Sequence, residues 1–135
     1  MGVILLLISF ILLAVLSTIN SVFLPLYYIC TFKWKKGLNH FNEWSYRMAL
    51  SIDQFGNVMC SSMFNRLLIE KNGVKYGGED MTISYITAMN RNKGTLKVCG
   101  IILAVLLDAI DKGHLDKAIY NQQQKDLDAV IRLNK

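Results

Sequence analysis

The chain has 135 residues, 53% of them apolar, and carries 15 Lys and Arg against 10 Asp and Glu. That length suits one small domain, and its aliphatic and aromatic content excludes intrinsic disorder. Its 3 cysteines are widely spaced, which excludes a disulfide-stapled miniprotein. The mean hydropathy of +0.30 is unevenly spread, because every Lys, Arg, Asp and Glu lies beyond residue 32. The expected division is a membrane anchor over 1–32 and a basic helical domain over 33–135.

From Gly2 to Leu24 the chain is almost wholly Val, Ile, Leu, Phe and Ala, broken by Ser9, Ser17, Thr18, Asn20 and Ser21. At ~1.5 Å per residue this stretch is roughly 35 Å long, enough to cross a hydrocarbon core with some tilt. Ser and Thr can bond back to the preceding turn of their own helix, whereas Asn20 calls for a partner helix. Pro25 is expected to end or kink the helix. A cleaved signal peptide would need a positive n-region and a small-residue cleavage site, and neither is present. Leu6 stands where myristoylation favours Ser or Thr.

Tyr27, Tyr28 and Trp34 follow the apolar run, then Lys33, Lys35 and Lys36 interleave with them. Aromatic side chains prefer the headgroup level, and flanking lysines stay on the cytoplasmic side. These six residues are the expected membrane interface. The expected orientation is N-terminus out, with residues 33–135 in the cytoplasm. Juxtamembrane lysines also make anionic lipid headgroups the expected partner surface.

In the polar part, Asn39 is placed to cap a helix whose apolar residues recur as Phe41, Trp44, Met48, Ile52, Phe55, Met59, Met63 and Leu67. Asn72-Gly73 signals a stop. Gly77-Gly78-Glu79-Asp80 leads into a third helix with acids in its first turn, and Ile83, Ile86 and Met89 lie on one face. Residues 90–94 read as a loop and Thr95 as the next N-cap. The charge-free run Val98–Leu107 is too short to span a bilayer and reads as a core helix, with a membrane-contacting helix as the alternative. Gly113 suits a C-terminal cap. A last amphipathic helix from Leu115 is expected to fray at Gln122, Gln123 and Gln124. The fold class is all-α: one transmembrane helix followed by a small bundle, with Phe55 and Ile102 in its core.

Three groups of residues carry chemistry. Asp108, Asp111 and His114 form D-x-x-D-x-x-H, a candidate set for a divalent cation, although a solvated helix end explains the same residues. Gly77 to Asp80 matches part of the diguanylate cyclase signature, but Met81 replaces its Phe and helical patterns flank it. Asp53 and Asn57 sit one helical turn apart beside the apolar stripe. A buried carboxylate needs a partner, and the nearest suppliers are Gly77, Gly78, Thr82 and Ser84. The expectation is a polar clasp between these six residues. Cys30, Cys60 and Cys99 make no C-x-x-C pair. No catalytic residue, cofactor or nucleic-acid recognition motif is assigned.

Three strings in order, Ser51–Asn57 (SIDQFGN), Gly77–Ser84 (GGEDMTIS) and Leu107–His114 (LDAIDKGH), resemble those of a group of small uncharacterised proteins of tailed bacteriophages and prophages. Members often carry Cys after the final His, where this chain has Leu115. The resemblance implies a phage-encoded accessory protein at the host inner membrane, acting by contact with a host membrane protein, with lipid or with itself through the span. A holin-like lysis protein and a virion component that enters the membrane during genome delivery are the alternatives.

Overall fold

The computed structural model describes residues 2–31 and 34–133, except for the Trp34 side chain. The described residues form six helices: α1 (Gly2–Cys30), α2 (Trp34–Met59), α3 (Ser61–Leu67), α4 (Ile83–Lys93), α5 (Val98–Ile110) and α6 (His114–Leu133). The chain divides into two compact units, residues 1–47 and 48–135.

In the first unit, α1 has no buried residue and is long and apolar enough to cross a membrane. It does not stop at Pro25, which lies inside it. Ser9, Thr18 and Ser21 donate to the carbonyls of Leu5, Ala14 and Ser17. Their polarity is thus spent within the helix. The second helix begins at Trp34, so Asn39 lies inside it rather than capping it. The Gly37 backbone lies against the Tyr28 ring, and the Tyr28 and His40 rings are 6.0 Å apart.

In the second unit, α4 packs against both α5 and α6. Leu68, Ile69, Tyr76 and Ile86 form one buried cluster; Ala88, Ala104 and Leu115 form another. Leu96 touches both, held by an isolated antiparallel bridge to Ile69. Gly100 lets α5 approach the Leu68 carbonyl so closely that a Cβ there would collide with it.

Several boundaries depart from the sequence-based expectation. The fourth helix starts at Ile83, so Glu79 and Asp80 lie in the turn before it. It continues through residue 93 instead of yielding to a loop at 90. Thr95 does not cap α5; it is buried and donates to the Asn90 side chain at 2.7 Å. The last helix runs through its three glutamines to Leu133.

The largest departure concerns the core. Phe55 and Ile102 are 43% and 54% exposed, and Ile52, Met59, Met63 and Leu67 also face outward. The side of α2 turned to the rest of the unit carries Asp53, Gln54 and Asn57. Backbone groups of residues 77–83 need hydrogen-bond partners, and these polar side chains supply them. Docking the polar side leaves the apolar stripe outside.

Candidate functional site: a polar clasp on the 70–84 segment

The N-terminus of α4 is the centre of the clasp. Thr82 caps the helix itself, accepting from the Tyr85 amide at 3.0 Å. Asp53 from α2 supplies a second acceptor there: its Oδ1 receives the Ile83 amide at 2.9 Å and its Oδ2 the Ser84 hydroxyl at 2.9 Å. A carboxylate is suited to this place, because the first amides of a helix are unpaired and carry partial positive charge. Asn57 is fully buried. Its amide nitrogen donates to the carbonyls of Gly78 and Met81 at 3.0 and 2.9 Å, and its Oδ1 accepts from the Gly77 amide at 3.1 Å. Gly77 has φ +117°, a left-handed conformation that an L side chain adopts only with strain. The structure thus brings together all six residues of the expected clasp, with Thr82 serving its own helix and not Asp53 or Asn57.

The same device recurs at two asparagines that the sequence reading did not single out. Asn65 accepts from the Tyr76 amide at 2.8 Å and donates to the Tyr76 carbonyl at 3.0 Å. Asn90 accepts from the Val74 amide at 2.8 Å and donates to the carbonyls of Val74 and Ile86. Asparagine can present an acceptor and two donors at once, which lets one side chain replace a piece of a backbone ladder. Asn57, Asn65 and Asn90 thereby hold the strandless 74–81 segment from three helices. Tyr76 sits in the middle; its hydroxyl pairs with buried Thr87 at 2.8 Å, and burial pushes its pKa above the ordinary phenol value.

The candidate cation residues are arranged differently from a metal centre. The Asp108 Oδ2 accepts from Arg91 at 2.8 Å, and its Oδ1 accepts from the Leu115 amide at 3.2 Å. Arg91 also pairs with Asp116. Asp111 pairs with Lys117 at 2.6 Å, and this contact, with His114 adding less, holds its pKa below the usual carboxylate value. Among the described residues no three His, Cys, Asp or Glu side chains converge as a metal site. His114 joins the clasp instead: its Nε2 is 3.1 Å from the Ser84 hydroxyl, while its Nδ1 is 3.4 Å from Asp111. The Asp53–Ser84–His114–Asp111 chain therefore links all three sequence strings in space. Its serine is buried and its hydroxyl donates to Asp53.

Of the interface residues, Tyr27 and Tyr28 lie in the last turns of α1 with rings 5.3 Å apart, and Lys35 and Lys36 are exposed in the first turn of α2. Lys33 and the Trp34 side chain lie outside the described residues. No protein-family model, curated protein or solved structure matches this chain.

Proposed function

We propose that the chain is a single-pass membrane accessory protein, encoded by a tailed phage or prophage, whose helical body acts by contact on the cytoplasmic side of the host inner membrane. The observation that carries this reading is α1: its large aliphatic side chains are exposed all round, a surface that only lipid or other spans can cover. The distribution of charge supports the orientation, since Lys35 and Lys36 follow the span. The clasp supports action by contact. Its polar groups are spent on one another and on backbone, which makes it a device for holding shape.

Membrane fractions washed at alkaline pH test the anchor. The full-length chain, with residues 1–32 still attached by mass, is expected to stay with the lipid. A reporter fused to the C-terminus is expected to give a cytoplasmic signal. Release of a shortened chain would turn α1 into a removed signal sequence, and a periplasmic reporter signal would reverse the orientation.

A further inference from the structure

The fifth helix has an unusual distribution of side chains. Positions 100, 103, 104, 107 and 108 face the body. The opposite side shows Val98, Ile101, Ile102, Val105, Leu106 and Ile110, each more than half exposed. No polar or charged side chain interrupts that outer face. An open groove of about 430 Å³ runs along its edge, between Ile101, Val105 and Ala109 on one side and Leu96, Ala104, Arg91 and Asp108 toward the body. A contiguous apolar surface of this kind marks an interaction site.

We infer that α5 lies flat in the headgroup–acyl boundary of an anionic bilayer. At ~1.5 Å per residue its length is roughly 20 Å, too short to span and long enough to lie in the interface. The charges at its ends select the occupant. Lys93, at the end of α4 shortly before α5, and Lys112, just after α5, are exposed, and among the described residues pair with no carboxylate. The acids nearby are already engaged, Asp108 by Arg91 and Asp111 by Lys117. The surface is thus an apolar centre with cationic ends, which complements anionic headgroups above acyl chains. A second copy of α5 would place like charges against these lysines in either orientation. This inference rests on the membrane reading of α1 and adds a second, independent point of contact.

The test uses the full chain in vesicles of phosphatidylethanolamine and phosphatidylglycerol with acyl-brominated lipid. In a background of Cys30→Ser, Cys60→Ser and Cys99→Ser, a single cysteine at Ile102, Leu106 or Lys71 carries an environment-sensitive fluorophore. Quenching several-fold stronger at 102 and 106 than at exposed Lys71 is expected. Val105→Glu, on the outer face, should abolish the difference. Replacing phosphatidylglycerol by phosphatidylcholine should weaken it, as should combining Lys93→Glu with Lys112→Glu. Equal, background quenching at all three sites overturns the inference. So does a blue shift at 102 without quenching, which means a protein cover, or quenching that ignores lipid charge. Flotation of the same vesicles after alkaline washing reads the anchor separately. A chain that floats with 102 unquenched loses only the α5 contact; a chain that does not float loses both.

Discussion

The imidazole Nε2 of His114 stands 3.1 Å from the hydroxyl oxygen of Ser84, thirty positions away in the chain. Ser84 donates its hydroxyl to Asp53, and the direction of its contact with His114 follows the imidazole tautomer. The N-terminus of α6 is thereby fastened to the first turn of α4, which α2 already holds through Asp53. Three helices distant in sequence meet at one hydroxyl.

Asp53→Ala is expected to lower the stability of the full chain in detergent micelles by about 1–3 kcal/mol, because the Ile83 amide and Ser84 hydroxyl lose their acceptor. Urea unfolding followed by circular dichroism measures it. Asp53→Asn retains one acceptor oxygen and should recover part of the loss. An Asp53→Ala chain as stable as the parent would remove the clasp from the forces that hold this unit.

Asn90→Ala should cost more than a surface amide side chain, since it takes this partner from the Val74 amide and from the carbonyls of Val74 and Ile86. About 2 kcal/mol or more is expected, because buried groups left unpaired forfeit their solvation. Gln122→Ala on exposed α6 is the comparison and should stay within about 0.5 kcal/mol.

Gly100→Ala places a methyl against the Leu68 backbone carbonyl, which cannot rotate away like a side chain. The helix must shift, at about 1–3 kcal/mol. Hydrogen exchange should speed up at the Lys97 amide, which bonds to that same carbonyl. Unchanged exchange would separate α5 from the Ile69–Leu96 bridge.

Tyr76 gives a pH dependence at the alkaline end. Burial raises its pKa in the folded chain, with the Thr87 hydrogen bond opposing it. A folded pKa above the unfolded one leaves stability intact below pH ~10 and removes it as pH rises beyond that. Tyr76→Phe should flatten this alkaline loss in thermal melts recorded between pH 8 and 11. An equally steep loss in that variant would assign it to other groups.

Leu115→Ala should cost about 2–5 kcal/mol, because Leu115 is fully buried beside Ala88 and Ala104. Ile102→Ala, at a position more than half exposed, should change unfolding in micelles by about 0.5 kcal/mol or less.

The apolar leader, the helical class and the turn at Asn72-Gly73 are visible in composition and local pattern, whereas the helix itself ends earlier, at Leu67. They depend on neighbours in the chain: an uncharged run of this length reads as a span, and turn residues mark where helices break. The pairing of Asp53 and Asn57 with the 77–84 segment is also legible, because a carboxylate inside a helical stripe demands donors and the glycine turn has them unpaired. The direction of the stripes is not. Periodicity identifies a face but says nothing of which side docks. In α2 the polar side docks, because the backbone of residues 77–83 is hydrogen-bonded by Asp53, Gln54 and Asn57. The roles of Asn65 and Asn90 are equally silent in sequence, since an asparagine in a helix usually faces water. Only the arrival of Tyr76 and Val74 at hydrogen-bonding distance makes them structural. Buried polar pairs belong to the tertiary structure for this reason: their stability comes from removing both partners from water together, and neither partner announces the other.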